Sequence, residues 1–211
     1  MVSDSVTITT AAEIIPENYC APLDFETIYG RRALLEVDLG CGDGLFLAGI
    51  AASNPARNFL GIERMPGRVR STIRKIEGLG LTNARILQLE ISYTVEHLLP
   101  TSSVDVFHLM FPDPWPKRRH SPRRVVTKEM LSDLHRALVP GGLLRIATDE
   151  TEYFREIRRL VDGSPGFVRI SDQEATGSVS TFEKRFRQSG IQIHRLGLRK
   201  VAPSRNGTAS Q

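Results

Sequence analysis

Residues 33–52 read ALLEVDLGCGDGLFLAGIAA, and this stretch decides the fold of the chain. A mostly apolar run ends at Leu39, glycines follow at every second position, and a second apolar segment begins at Leu45. This order predicts a buried strand, a tight turn and a helix. Because glycine has no Cβ, such a turn also lets the backbone approach a ligand closely.

The alternation of strand and helix continues to about residue 161. We expect further strands at 58–63, 84–89, 104–111 and 143–148, and helices at 66–79, 126–138 and 150–161, with a short helical stretch that ends at Leu99. Short connections between alternating elements predict a parallel sheet with helices on both faces. The expected fold class is therefore α/β, with one Rossmann-like domain.

Length and composition limit the number of domains and argue against some classes of protein. A chain of 211 residues suffices for one domain. We expect an irregular N-terminal segment over 1–21, the domain over 22–199 and a flexible tail over 200–211. The chain shows no signal peptide and no apolar run of about 18 residues, which argues against secretion and membrane insertion. Cys20 and Cys41 lack metal-ligand spacing, which fits a reducing cytoplasm.

The glycine turn predicts a nucleotide-type cofactor. Gly40, Gly42 and Gly44 follow Asp38 with the spacing G-x-G-x-G, which is typical of methyltransferases that bind S-adenosylmethionine. A dinucleotide fingerprint would need a small residue where Leu45 stands, which disfavours a dehydrogenase. The alternative is a glycine turn that binds nothing.

Acids at the ends of three consecutive strands favour the cofactor interpretation. Glu63 ends the second strand, where a carboxylate is placed to accept hydrogen bonds from both ribose hydroxyls. Glu90 follows the third strand and is placed to accept from an adenine amino group. Asp38 lies where it would orient the cationic methionine end. Each acid alone is usually only a solvated residue at a strand end.

The segment after the fourth strand, residues 111–117 (FPDPWPK), is the expected reaction site. Prolines on both sides of Asp113 restrict the backbone and remove two amide donors, so the carboxylate is held on a stiff loop. No cysteine stands in this loop, which excludes a covalent cysteine mechanism there. Trp115 is placed either to stack on a base or to pack beneath the loop.

Residues 117–124 (KRRHSPRR) carry five Lys and Arg in eight positions directly after the expected reaction site. A charge cluster is commonly a solvated surface, but its position here favours binding to RNA phosphates. The whole chain has 28 Lys and Arg against 24 Asp and Glu, a weak indication in the same direction.

Five motifs together resemble the bacterial tRNA (guanine-N7-)-methyltransferase family. They are residues 38–44 (DLGCGDG), 61–63 (GIE), 111–124 (FPDPWPKRRHSPRR), 148–149 (TD) and 182–185 (FEKR). The resemblance spans about residues 22–195, and the FPDPWPK stretch with its basic extension is the most specific element. It implies a class I methyltransferase fold with a mostly parallel seven-stranded sheet, S-adenosylmethionine as methyl donor, and the variable-loop guanosine of tRNA as target.

The resemblance also implies residue roles. Asp38, Glu63, Glu90 and Asp113 match the cofactor-contacting acids, and Asp113 also matches the catalytic residue. The positions that match substrate or RNA contacts are Lys117, Arg119, His120, Arg123, Arg124, Asp149, Ser180, Thr181 and Glu183. The family often has Glu at position 38, Asp or Asn at position 90 and Thr at position 180. No metal and no obligatory protein partner are expected, and the chain is expected to be a monomer or a homodimer.

The chemistry of guanine N7 suggests a mechanism. N7 has an exposed lone pair and no proton to lose, so no strong general base is required and catalysis rests on positioning and electrostatics. We expect Asp113 to accept from the N1–H and N2 amino edge of guanine. The alternatives are a methyltransferase for a small molecule or a protein, and an RNA-binding protein that lacks catalysis.

Overall fold

The computed structural model describes residues 6–8, 12–114, 124–164, 166–171, 174 and 192–201. The strands are β1 (Val6–Ile8), β2 (Glu13–Pro16), β3 (Leu35–Leu39), β4 (Asn58–Glu63), β5 (Ala84–Gln88), β6 (Val104–Met110), β7 (Leu138–Thr148), β8 (Phe167–Arg169) and β9 (His194–Lys200). The helices are α1 (Phe25–Tyr29), α2 (Leu45–Ser53), α3 (Pro66–Gly78), α4 (Ile91–Tyr93), continued by a π-helical turn (Thr94–Leu98), α5 (Lys128–Ala137) and α6 (Thr151–Asp162).

The strands form a single sheet in the order β1-β2-β5-β4-β3-β6-β7-β9-β8. All pairs from β2 to β7 are parallel, whereas β1 pairs antiparallel with β2, and β9 pairs antiparallel with β7 and β8. The α/β fold with a mostly parallel sheet is therefore confirmed. The strand order reverses between β3 and β6, which makes this the topological switch point where ligands bind in such sheets.

The expectation of seven strands and of an irregular segment over 1–21 needs correction. Among the described residues the sheet has nine strands, because β1 and β2 extend it beyond β5. Ile14 is almost fully buried, and the Ile86 amide donates to the Ala12 carbonyl at 2.8 Å. The pairing of β2 with a strand about seventy residues later satisfies backbone groups at the edge of the sheet. Such a nonlocal partner is invisible to local sequence patterns.

The central strands are buried on both faces, as the continuous apolar runs predicted. Every residue of β3 and β4 is buried. One hydrophobic cluster lies on the face covered by α5 and α6, and a second lies between the sheet and α2 and α3. Val69 and Ile76 are buried and Ile73 packs against the second cluster, so α3 has one apolar face that packs on the protein core.

The connection between α5 and β7 differs from the expectation. The helix ends at Ala137, and β7 begins at Leu138 rather than at Leu143. Val104 of β6 pairs with Leu138, whereas Val106 pairs with Leu143, so residues 139–142 interrupt the register of the two strands. Pro140-Gly141-Gly142 therefore forms an irregularity within the strand instead of a loop before it.

A buried ionic group lies beneath the switch point. Glu36 Oε2 is 2.7 Å from His108 Nε2, and Glu36 Oε1 accepts from the guanidinium of Arg57. Burial opposes ionisation of Glu36, but the hydrogen bonds and charges of His108 and Arg57 outweigh it and lower its pKa to about 2. Glu36 is therefore ionised, and it ties β3 to β6 and to the start of β4.

No helix in the described ranges combines the length and the apolar composition that crossing a membrane requires.

Candidate functional site

Five acids lie at or just after the carboxyl ends of five neighbouring strands, at the same edge of the sheet. In the spatial order β5-β4-β3-β6-β7 they are Glu90, Glu63, Asp38, Asp113 and Asp149. Parallel strands bring their carboxyl ends to one edge, so acids that are far apart in sequence become neighbours. A cleft of about 650 Å³ opens at this edge, and Gly40, Glu63, Glu90 and Asp113 are among the residues that line it.

The glycine turn connects β3 to α2 in the way that the spacing predicted. Gly40, Gly42 and Gly44 have φ angles of 78°, 60° and 78°, in the left-handed region that side chains rarely adopt. A Cβ on Gly44 would lie 2.6 Å from the side chain of Thr72, so Gly44 is also required for the close packing of the turn on α3. Gly40 is the glycine of this turn that lines the cleft.

Asp38 is the most unusual acid of the described site. Its side chain is buried, and Oδ2 has no hydrogen-bond partner within the described part of the chain. Burial, followed by the negative charge of Glu63, raises the pKa of Asp38 to about 8. An unsatisfied buried carboxyl is costly, and a cationic or hydrogen-bonding ligand group would remove that cost.

Glu63 connects the glycine turn to the end of β4. Its Oε2 accepts from the Gly42 amide at 3.1 Å and its Oε1 accepts from the Met65 amide at 2.9 Å. Arg68 Nη1 lies 3.9 Å from Oε2. A carboxylate oxygen has two lone pairs, so each oxygen retains capacity to accept a ligand hydroxyl. The side chain is thus held rigidly at the wall of the cleft.

Glu90 begins the helical segment after β5. It is exposed, lines the cleft, and its Oε2 accepts from the Tyr93 amide at 2.8 Å as an N-cap. The cap fixes the side chain at the end of the cleft farthest from β6 in the order of the sheet.

The loop that bears Asp113 leaves the sheet through a strained residue. Phe111 has a φ angle of 54°, which is unfavourable for a bulky side chain, and its amide donates to the Ala147 carbonyl at 2.7 Å. Phe111, Pro112 and Asp113 all line the cleft, and Asp113 is exposed. The backbone at Phe111 thus leads from β6 directly to Pro112 and Asp113 on the wall of the cleft.

Arg124 joins the two ends of this loop and connects them to α6. Its Nε donates to the Pro114 carbonyl at 2.8 Å, its Nη1 pairs with Glu156 of α6, and its guanidinium lies 5.2 Å above the Tyr153 ring. The side chain is only 14% exposed. These contacts give Arg124 a structural role at the base of the loop, and its contact with RNA stays a prediction.

Of the remaining predicted residues, Asp149 alone lies in the described part of the chain. Asp149 is exposed directly after β7 at the same edge and is not among the residues that line the cleft. The others lie outside the described residues: Trp115, Lys117, Arg119, His120, Arg123, Ser180, Thr181 and Glu183. Their roles stay predictions.

Sequence reasoning missed the contribution of α3 to the cleft. Arg64, Met65 and Arg68 line the cleft beside Glu63. The signal was present, because residues 64–76 contain four Arg and one Lys and no acid. The pair of Glu36 and His108 was also missed, since nothing in two strands read separately indicates that they are adjacent.

Known proteins are similar to this chain over most of its length. A family profile described as "Putative methyltransferase" matches residues 32–196. The tRNA (guanine-N(7)-)-methyltransferase of Thermotoga maritima is 31% identical over 97% of this chain and 65% of its own length. The enzyme of the same name from Syntrophotalea carbinolica is 33% identical over 84% of this chain and 79% of its own length.

Solved structures agree on the fold. The aminoglycoside resistance methyltransferase NpmB1 superposes with a TM-score of 0.61 and 21% identity, covering 93% of this chain and 100% of that chain. This structural likeness supports the fold alone.

The sequence match with the Thermotoga maritima relative spans slightly less than two thirds of the length of that relative. The chain belongs to the tRNA (guanine-N(7)-)-methyltransferase family.

Proposed function

We propose that this protein transfers a methyl group from S-adenosylmethionine to N7 of the variable-loop guanosine of tRNA. The observation that carries the proposal is the cleft at the switch point, lined by the glycine turn, Glu63, Glu90 and Asp113 in a chain of this family. The proposed partner is tRNA in the cytoplasm, and the proposal requires no second protein.

The described residues fit the cofactor. An adenosine with a cationic amino-acid end needs acceptors for its ribose hydroxyls and a negative group near its positive charges. Glu63 and Glu90 are carboxylates on the cleft wall, and Asp38 has a buried oxygen without a partner in the described chain. We assign Glu63 to the ribose, Glu90 to the adenine amino group and Asp38 to the cationic end. When bound, S-adenosylmethionine supplies a methyl group on a positively charged sulfur.

Asp113 is proposed to position the guanine. Its carboxylate accepts hydrogen bonds from N1–H and the N2 amino group, which turns N7 of the ring toward the cleft. N7 loses no proton, so Asp113 acts through orientation and through its negative charge as the purine becomes cationic. The strained Phe111 and the contact of Arg124 with Pro114 support this role, because they hold the loop on both sides of Asp113.

Mass-spectrometric nucleoside analysis tests the proposal. Purified protein is incubated with unmodified tRNA and S-adenosylmethionine, and the digest is expected to contain 7-methylguanosine from the variable loop. Asp113→Ala is expected to lower the rate by about 100-fold or more, since it removes a charged group at the reacting base. Glu77→Ala, which removes an exposed acid of α3 that does not line the cleft, is expected to retain activity.

Other outcomes would favour the alternatives. Methyl transfer to small molecules or proteins, with none to tRNA, would contradict the substrate. Failure of the folded protein to bind S-adenosylmethionine in calorimetry would contradict catalysis and favour an RNA-binding protein that uses the fold as a platform.

A further inference from the structure

Beside the cleft, all the charged residues just before α3 and along most of its length are positive. Between Glu63 and Glu77 the sequence contains four arginines, one lysine and no acid. We define the α3 arginine surface as Arg64, Arg68, Arg70 and Arg74, all of which are exposed. Arg64 and Arg68 line the cleft, and Arg70 and Arg74 lie one turn apart on the solvent side of the helix.

Within the described part of the chain, Arg64, Arg70 and Arg74 form no ion pair, whereas several other exposed arginines pair with acids. Arg32 pairs with Glu26, Arg155 with Glu152 and Arg169 with Asp162. On the α3 arginine surface, the ion pair found within the described residues joins Arg68 to the already bonded Glu63 at 3.9 Å.

Lys75 is not part of this surface, because its ammonium group is engaged in contacts within the protein. Its Nζ donates to the Asp43 carbonyl at 2.7 Å and to Ser71 Oγ at 3.0 Å, and it lies 3.3 Å from the Asp43 carboxylate. The lysine thus braces the glycine turn.

Folding does not account for this arrangement. The first turn of α3 contains Arg68 and no acid, although the positive end of the helix dipole favours acids there. Arg70 and Arg74 are like charges at the i and i+4 positions, which repel each other. The cofactor does not account for it either, since the single carboxylate of S-adenosylmethionine is outweighed by its positive sulfur and its ammonium group. The charge is therefore suited to an anionic partner at the mouth of the cleft.

We infer that the α3 arginine surface binds phosphate groups of the RNA substrate on the β4 side of the cleft. The inference rests on the proposed function. β4 lies on one side of β3 and β6 lies on the other, so α3 and the loop after β6 flank the switch point. RNA held at both flanks would present a base to the cleft between them, beside Asp113. Contacts to phosphates position a nucleic acid without reading its sequence.

Salt-dependent tRNA binding tests the inference. The test variant is Arg70→Gln with Arg74→Gln, two exposed positions where glutamine favours the helix equally well. Each lost phosphate contact flattens the slope of log K against log salt by about 0.7 to 0.9. We expect the double variant to flatten the slope by about 1.5, to weaken tRNA binding about tenfold at low salt and to raise KM for tRNA.

The control removes the same charge elsewhere. Arg32→Gln with Arg159→Gln changes two exposed arginines outside the cleft and should leave slope, affinity and activity unchanged. If wild type methylates tRNA and the α3 variant binds it with an unchanged slope, the inference is overturned and the proposed function stands. If the α3 variant and the control weaken binding equally, the effect is one of total charge and the inference is also overturned. Absence of 7-methylguanosine with wild type would instead remove the proposed function.

Discussion

Asp38 shows how one buried oxygen constrains both stability and ligand chemistry. Its position at the end of β3 is fixed by pairing with Gly61 on one side and His108 on the other. Burial and Glu63 raise its pKa to about 8, so without ligand the carboxyl is mostly protonated at neutral pH, and a cationic group bound beside it would favour the ionised form. In the unfolded chain the carboxyl has its ordinary pKa near 3.8 and is ionised at any pH well above that value.

The sign of the resulting pH dependence follows from proton binding. Between about pH 4 and pH 8 the folded protein holds a proton that the unfolded chain has lost, so stability falls as pH rises. Asp38→Asn cannot ionise and should gain stability relative to wild type across this window, by up to about 1.4 kcal/mol per pH unit. Urea denaturation at pH 5, 6, 7 and 8 measures the difference. Parallel stability curves for the two proteins would show that Asp38 is ionised in the folded state.

At the scale of elements, the glycine turn depends on its packing against α3 as much as on backbone conformation. Gly42 and Gly44 both have positive φ angles, but a Cβ on Gly42 meets nothing within 4 Å, whereas a Cβ on Gly44 lies 2.6 Å from Thr72. Thr72 is itself fixed, because its hydroxyl donates to the Gly42 carbonyl at 3.2 Å.

The two glycines therefore form a matched pair for mutation. Gly42→Ala should cost about 1 kcal/mol, since alanine disfavours the left-handed region. Gly44→Ala should cost about 1–3 kcal/mol more, because the added methyl also overlaps Thr72. Chemical denaturation of both variants measures the difference in the free energy of unfolding. Equal losses would mean that the close approach to α3 relaxes without cost.

At the scale of the whole molecule, the N-terminal strands complete the sheet and join its two cores. Ile14 of β2 belongs to the cluster beneath α5 and α6, whereas Ala12 belongs to the cluster beneath α2 and α3. β2 also covers the edge of β5, which would otherwise expose unpaired backbone groups. A segment expected to be irregular is thus part of the folded domain.

Neighbouring isoleucines of β2 test this role. Ile14 is buried and Ile15 is half-buried on the opposite face of the strand. Ile14→Ala should lower the free energy of unfolding by about 2–4 kcal/mol, because it leaves a cavity in the core. Ile15→Ala should cost less than about 1.5 kcal/mol. The free energy of unfolding is measured by thermal and urea denaturation. If both variants lose a similarly small amount, β2 is not an integral part of the domain.

Local sequence patterns predict the elements of the parallel sheet and the acids at the ends of its strands. Hydrophobic periodicity and glycine spacing are local properties, so they indicate strands such as β4, whose predicted bounds at 58–63 agree with the structure. They also indicate that the four acids Asp38, Glu63, Glu90 and Asp113 lie at or just after the ends of strands, which places them at one edge once the strands are parallel.

The contacts that each of these groups makes follow from the three-dimensional fold. The partner of a charge is set by residues far away in the chain, as in the pairing of Arg124 with Glu156 or of Glu36 with His108. The same holds for β2, whose partner strand begins at Ala84, and for Arg70 and Arg74, which form no ion pair within the described residues. Burial and charge pairing depend on residues that are far apart in the sequence, so the periodicity of a short segment does not predict them.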